Sequence, residues 1–84
     1  MFNYYLTCRS LTFAQRSFKV LSMAGIKNIL IRIPQEISGG GCGYALKIKG
    51  DLYLRAIGEL KKYSLLPKRV FILENNGEFK EVSF

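Results

Sequence analysis

The sequence contains no histidine, and this absence excludes more chemistry than any other feature of its composition. Without imidazole, the chain cannot form histidine-containing zinc sites or the Ser-His and Cys-His pairs of many hydrolases. It also lacks tryptophan, and its two cysteines are too few for a disulfide framework. The composition therefore predicts reduced thiols, no metal, no cofactor and none of the usual hydrolytic machinery.

Long apolar runs are also missing. No stretch approaches the roughly twenty residues that cross a bilayer, and the first residues lack the charged start of a secretory signal. We therefore expect a cytoplasmic protein that does not associate with a membrane. Its 84 residues suffice for one domain over 1–84, and 49% apolar residues favour a folded core over disorder.

Acidic residues are scarce relative to basic ones. Six Asp and Glu stand against thirteen Lys and Arg, a net charge of +7. This excess favours an anionic partner, such as nucleic acid, an acidic protein surface or a small anion. The basic residues are scattered along the chain, so their spacing does not choose among these partners.

Alternating and helical patterns of apolar residues predict five strands and two helices. The predicted strands cover residues 2–8, 28–33, 44–49, 68–74 and 78–84. Ser10 is the expected cap of the first helix, with Thr12 and Gln15 as an alternative capping box, and Gly25 is its expected end. The buried stripe of this helix is predicted to contain the apolar residues Leu11, Ala14, Phe18 and Leu21.

The second helix is predicted to begin at Asp51, which would cap it. Asn75-Asn76-Gly77 is a hairpin signal between the last two strands. The order β-α-β-β-α-β plus a C-terminal hairpin strand predicts an α+β, ferredoxin-like fold. Its sheet would be antiparallel, in the order 4-1-3-2, with both helices on one face.

This topology places the glycine-rich segment 39–43 beside Arg9, Ser10 and the positive end of the first helix. It also brings further basic residues of the second helix and the fourth strand to that end of the sheet. These are Lys61, Lys62, Lys68 and Arg69. We therefore expect a positive rim around Cys42.

Cys42 lies within the run Ser38-Gly39-Gly40-Gly41-Cys42-Gly43. Glycines allow several backbone N–H groups to point at one atom, and we expect Gly41 and Gly43 to direct theirs toward the Cys42 thiol. Ser38 could add a hydroxyl donor or simply cap the loop. An exposed thiol among donors and cations tends toward the thiolate, the nucleophilic form. The alternative interpretation is a flexible hairpin that carries an inert cysteine.

Cys8 shares the face of Phe2, Tyr4 and Leu6 in the first strand, so it is expected to pack in the core as a small apolar residue. A second interpretation makes Cys8 a resolving thiol for Cys42. That role would require the two α-carbons to come within about 7 Å of each other.

Several segments together resemble a known family of small domains described as selenium/sulfur carrier protein-like. They are Tyr5-Leu6-Thr7, Ala24-Gly25-Ile26, Ile33-Pro34, Ile37-Ser38 and Cys42-Gly43-Tyr44-Ala45-Leu46. The resemblance covers residues 4–73. It implies a compact α/β domain whose Cys42 holds sulfur or selenium as a persulfide or perselenide. Gly39, Gly40 and Gly41 stand where the family pattern leads us to expect more serines.

The resulting first hypothesis is a relay rather than a stand-alone enzyme. Cys42 would receive sulfur or selenium from a donor protein, such as a cysteine desulfurase, and pass it to an unidentified acceptor. The second hypothesis is a small basic module that binds RNA or an acidic protein. Tyr4 and Tyr5 could then stack a base, although the RNA-recognition consensus is missing from the third strand. A third hypothesis is pairing through the edge of the terminal hairpin, including formation of a homodimer.

Overall fold

The structure is a computed structural model, and it describes residues 2–33 and 43–84. In chain order its elements alternate as the apolar pattern predicts, with a single 3-10 turn before the second helix. They are β1 (Asn3–Thr7), α1 (Leu11–Met23), β2 (Ile29–Arg32), β3 (Tyr44–Lys49), the 3-10 turn Gly50–Leu52, α2 (Tyr53–Lys62), β4 (Arg69–Leu73) and β5 (Phe79–Val82). Apart from β3, the strands are shorter at their ends than predicted.

The five strands form one sheet in the order β2-β3-β1-β4-β5, and every neighbouring pair is antiparallel. The predicted α+β class, antiparallel sheet and two helices are confirmed. In β1, Tyr5 pairs with Lys47 of β3 on one side and with Phe71 of β4 on the other. β1 therefore lies at the centre, and the residues after Thr7 are brought close to β3 and β4.

Both helices contribute to the same core on one face of the sheet. Alternate residues of the strands point to this face because side chains alternate along a strand. The fully buried members of this core come from β1, β3, β4, α1 and α2, and from the segment after α1. They are Leu6, Ala14, Leu21, Ile26, Leu46, Ile48, Ala56, Leu60 and Val70.

The opposite face, called here the outer face, carries a second and smaller apolar cluster. It consists of Tyr5, Ile33, Ala45 and Phe71, each less than 9% exposed. Phe79 of β5 packs edge-on against Tyr5, with ring centroids 5.3 Å apart. The aromatic side chains of Tyr5 and Phe71, at the centre of the outer face, are therefore almost inaccessible to solvent.

The ends of α1 follow the predicted chemistry. The Ser10 hydroxyl accepts a hydrogen bond from the Phe13 amide at 3.1 Å, so Ser10 rather than Thr12 is the N-cap. Gly25 follows the helix with a φ of +75°, a conformation that L side chains disfavour. The cap and the end predicted from the sequence are both confirmed.

The stripe predicted for α1 is only half right. Ala14 and Leu21 are fully buried, but Leu11 and Phe18 are each 38% exposed. Since each residue turns a helix by about 100°, these two lie on the flank of a stripe centred between Ala14 and Ser17. Ser17 is buried instead, and its hydroxyl donates to the Phe13 carbonyl at 3.0 Å. That internal partner allows a polar residue to occupy the core face.

The expected cap at Asp51 is wrong. Asp51 lies within the 3-10 turn, and α2 begins at Tyr53 without a side-chain cap. Because the 3-10 turn leads directly into α2, the Tyr53 amide already has a backbone partner, the Gly50 carbonyl. Neither helix within the described residues is long and apolar enough to span a membrane.

Candidate functional site

The segment that carries the predicted site joins β2 to β3. Three predicted site residues, Ser38, Gly41 and Cys42, lie outside the described residues, so their roles stay predictions. The two ends of the segment are described. The Ile33 amide donates to the Gly43 carbonyl at 2.7 Å, so the segment starts and finishes at a hydrogen-bonded pair.

Gly43 is predicted to support the thiol through its backbone. Its φ is outside the left-handed region, and an added Cβ would meet the Ile33 carbonyl oxygen at 3.6 Å, an ordinary contact. Neither conformation nor space therefore requires glycine at this position. Its contribution of a backbone N–H to Cys42 stays a prediction.

The end of β1 reaches the same end of the sheet. The Cys8 amide donates to the Tyr44 carbonyl at 3.1 Å, which continues the β1–β3 register by one residue. Arg9 and Ser10 come immediately afterwards, and Ser10 caps α1 there. The structure thus brings Arg9, Ser10 and the positive end of α1 to the end of the sheet where β3 begins at Tyr44.

Cys8 itself is a member of the core under the helices. It is 4% exposed, and its Sγ lies 3.6 Å from the Leu6 carbonyl oxygen as a weak donor. The predicted packing of Cys8 is confirmed. Its second predicted role, as a resolving thiol, stays a prediction.

Two cations lie together near this end of the sheet. Arg9 and Lys61 line a cavity of about 300 Å³, whose other walls are Phe13, Ser64 and Leu66. The Arg9 guanidinium carbon is 5.9 Å from the centre of the Phe13 ring, a cation–π contact. The end of α2 thus brings a cation to the same end of the sheet as Arg9, as the topology predicts.

Two other members of the predicted rim are engaged with carboxylates. Lys62 Nζ contacts Glu59 at 2.9 Å, and the Arg69 guanidinium donates to both oxygens of Glu81 at 3.1 and 2.6 Å. The Arg69 hydrogen bonds lower the pKa of Glu81. Lys62 and Arg69 are therefore partly neutralised, which the sequence did not suggest because spacing along the chain does not reveal these pairs.

Arg32 is a basic residue that the sequence reasoning did not assign to the site. It pairs with Tyr44 across β2 and β3, and its guanidinium carbon is 5.5 Å from the centre of the Tyr44 ring. Along the two strands, this pair is the one next to the Ile33–Gly43 hydrogen bond. The β2–β3 register would have revealed it, but that register depends on where the intervening segment turns.

Tyr4 and Tyr5 do not present their rings for stacking on a base. Tyr4 stacks on Tyr53 of α2, with centroids 3.9 Å apart and planes 7° apart. Tyr5 is 6% exposed on the outer face. Base recognition on a sheet requires accessible aromatic rings, so these two residues do not favour the RNA hypothesis.

A second basic cluster, also missed from the sequence, lies on the outer face at the opposite end of the sheet. Asn3, Lys27, Asn28, Ile29, Lys47 and Lys49 line a cavity of about 230 Å³ there. Alternation along β3 predicts Lys47 and Lys49 on one face, but nothing local to Lys27 signals its place beside them. Among residues 2–33 and 43–84, no group of three Cys, Asp or Glu side chains is arranged to hold a metal ion.

One comparison with known proteins gives a match. The model of the family described as "Putative Se/S carrier protein-like" matches residues 3–72, which include both cysteines. No curated protein and no solved structure matches the chain.

Proposed function

The chain belongs to the Se/S carrier protein-like family, and from that premise we propose that it carries sulfur or selenium as a persulfide or perselenide on Cys42. A donor protein loads the thiol, and a second protein accepts the cargo. The role is a non-enzymatic relay in a reducing compartment such as the cytoplasm. A cysteine desulfurase is the class of donor that forms a suitable protein persulfide.

The burial of Cys8 is the observation that supports Cys42 as the carrier thiol. The chain has two cysteines, and a carrier thiol must meet the sulfur of another protein. Cys8 is 4% exposed and packs between the sheet and the helices, which disfavours attack by a thiol of another protein. The burial of Cys8 therefore supports Cys42 as the thiol that exchanges with a partner.

The loading step is a thiol–persulfide exchange. The Cys42 thiolate attacks the outer sulfur of the donor persulfide, a new S–S bond forms on Cys42, and the bond within the donor breaks. The donor cysteine leaves as a thiolate, and there is no net oxidation. Unloading repeats the exchange with the acceptor thiol as nucleophile. A perselenide would be transferred by the same exchange, with selenium in place of the outer sulfur.

Positive charge at this end of the sheet supports the thiolate. Arg9 and Lys61 share one cavity, and Arg32 lies at the base of the β2–β3 segment. α1 follows its cap Ser10 and has no acidic residue in its first turn. Cations and the positive end of a helix lower the pKa of a nearby thiol. The charges also suit a donor with an acidic docking surface.

The strand order also fits the proposed platform. Read from β4, the first four strands run β4-β1-β3-β2, and β5 lies beyond β4. This order supports a ferredoxin-like topology with an added hairpin strand. In such a topology the end of β1, the start of α1 and the start of β3 meet at one end of the sheet.

The test is intact mass after incubation of the reduced protein with a cysteine desulfurase and cysteine. We expect wild type to gain one sulfur atom that a reductant removes. Cys42→Ser should gain none, and Cys8→Ala should load like wild type while it remains folded. Loading of Cys42→Ser, or an unloaded wild type in the presence of an active donor, would overturn the proposal.

The RNA hypothesis makes the opposite prediction. RNA affinity would fall steeply with salt and survive Cys42→Ser, because phosphate contacts do not involve the thiol. Salt-sensitive RNA binding by a wild type that does not load sulfur would therefore replace the relay with a binding module.

A further inference from the structure

The lysine-lined cavity on the outer face, called here the lysine cavity, is built from three adjacent strands. Lys47 and Lys49 lie on β3, and cross-strand pairing sets Ile29 beside Lys47 and Asn3 beside Lys49. Lys27 precedes β2 and closes the cavity from that side. Because Lys47 pairs with Tyr5 of the outer cluster, these side chains face away from the helices. The start of β1 and the end of β3 place the lysine cavity at the opposite end of the sheet from Arg9.

The three ammonium groups have no counter-charge within the described part of the chain. The ion pairs found there are Lys62–Glu59 and Arg69–Glu81, both elsewhere, and no described carboxylate lines the lysine cavity. The backbones of Lys47 and Lys49 are only about 7 Å apart, since they are two residues apart on one strand. Like charges held around a concavity repel each other and raise the local concentration of anions.

Asn28 forms part of the wall of the same cavity and is held in a fixed orientation. It is 9% exposed, and its Nδ2 donates to the Ile26 carbonyl at 3.0 Å and contacts the Ser22 hydroxyl at 3.5 Å. These bonds fix the amide, and the buried Oδ1 accepts no hydrogen bond from the described residues. An acceptor oxygen needs a donor, which a water can supply but a phosphate oxygen cannot, so Asn28 shapes the wall of the cavity and the lysines make the contacts to an anion.

From these observations we infer that the lysine cavity binds a compact phosphate-bearing anion. Lysine ammonium groups bind phosphate oxygens as point charges, and each bond is charge-assisted. A volume of about 230 Å³ lies below the range of about 300–1,000 Å³ typical of sites for drug-sized ligands. The occupant is therefore inorganic phosphate, a diphosphate or the phosphorylated end of a small molecule. Ile29, 53% exposed, gives that end an apolar contact.

A single RNA strand is less well matched to the same surface. Its bases would need accessible rings on the outer face beside the lysines, but Tyr5 and Phe71, the buried aromatic residues of that face, are 6% and 5% exposed. Phosphate recognition without base stacking is what the lysine cavity offers. The inference does not depend on Cys42, so each proposal can fail without the other.

The test is titration of the full chain with pyrophosphate at low salt, monitored by backbone amide NMR shifts and calorimetry. We expect saturable binding with the largest shifts at residues 3, 27–29 and 47–49. The double variant Lys47→Gln/Lys49→Gln should weaken binding about tenfold or more, because it removes two charge-assisted contacts. Lys19→Gln/Lys80→Gln, which removes two exposed lysines outside the cavity, should stay within about twofold.

Additional titrations and variants distinguish the remaining outcomes. Inorganic phosphate and a nucleoside diphosphate, titrated in parallel, distinguish a free anion from a phosphorylated organic ligand. Lys27→Gln, which alters no strand residue, replaces the double variant if that variant unfolds. Cys42→Ser should bind pyrophosphate like wild type. Equal weakening in the Lys19/Lys80 control, absence of saturation, or preference for an RNA oligonucleotide over every small anion would overturn the inference.

Discussion

The amide of Ile33 donates a 2.7 Å hydrogen bond to the carbonyl oxygen of Gly43, and this bond joins the two ends of the segment that carries Cys42. Both partners are backbone atoms, so the closure does not depend on either side chain. The Arg32–Tyr44 pair lies next to it on the adjoining strands. The two ends of the segment are therefore positioned by the β2–β3 register.

Gly43→Ala should consequently be tolerated. The new Cβ would make an ordinary 3.6 Å contact with the Ile33 carbonyl oxygen, and the backbone there is not left-handed. We expect the free energy of unfolding, measured by urea denaturation, to change by less than about 1 kcal/mol. Gly25→Ala is the matched control. At a φ of +75° it should cost about 1–2 kcal/mol. Equal losses in both variants would show that Gly43 is constrained by something other than its conformation.

Ser10→Ala should destabilise the protein by about 1 kcal/mol, the usual effect of losing an N-cap. The serine hydroxyl accepts the Phe13 amide at 3.1 Å, which otherwise has no helical partner. Thr12→Ala removes a hydroxyl from the first turn of α1 without removing the cap, so it should cost much less. Urea midpoints for the two variants provide the comparison. A greater loss in Thr12→Ala would contradict the assignment of the cap.

Local chemistry made much of the fold predictable. Ser10, Gly25 and the turn at Asn75-Asn76-Gly77 are short-range signals, and the hairpin forms with Gly77 at a φ of +85°. The burial of Ser17 instead of Phe18 in α1 could not be predicted in this way. It depends on how the helix rotates against the sheet and on the hydrogen bond from Ser17 to the Phe13 carbonyl.

The candidate site was less predictable because its charges meet through tertiary structure. The packing of the two helices brings Arg9 to Lys61, as the topology suggested. The pair between Arg69 and Glu81 depends on the register of β4 and β5, and it removes one cation from the predicted rim. Hydrophobic spacing identifies which face of a strand is buried, but it contains no information on which surface charges become neighbours.

Arg9→Gln and Lys61→Gln should each slow alkylation of Cys42 near neutral pH. Loss of one nearby cation raises the pKa of a thiol and reduces its thiolate fraction. In partly exposed surroundings we expect an effect of roughly two- to threefold on the rate. The measurement is iodoacetamide modification followed by peptide mass spectrometry, which separates Cys42 from the buried Cys8.

Lys62→Gln is the control for that experiment. It removes the same charge from the same end of α2, but Lys62 is held by Glu59 at 2.9 Å. Its field is partly cancelled, so the alkylation rate of Cys42 should change less than in Lys61→Gln. If the three variants slow the reaction equally, the effect reflects net charge, and the shared cavity of Arg9 and Lys61 has no special role.

Tyr53→Phe should leave stability at neutral pH unchanged or raise it by up to about 1 kcal/mol. The Tyr53 hydroxyl is buried without a hydrogen-bond partner among the described residues, while its ring stacks on Tyr4. Replacement by phenylalanine retains the stacked ring and removes the unsatisfied group. Tyr63→Phe, at a position that is 59% exposed, should have no effect. A marked loss in Tyr53→Phe would mean that the hydroxyl has a partner, such as an ordered water.

The same variant tests the direction of a pKa shift. Burial raises the pKa of Tyr53 above its ordinary value of 10.0, and repulsion from Tyr4 adds to the effect. The unfolded chain therefore loses this proton first as the pH rises. The ionisation of Tyr53 therefore leaves the free energy of unfolding unchanged below about pH 10 and lowers it as the pH climbs toward the raised value. Between neutral pH and about pH 11, wild type should lose more stability than Tyr53→Phe, measured by urea denaturation. Parallel curves for the two proteins would show that the pKa of Tyr53 is not raised.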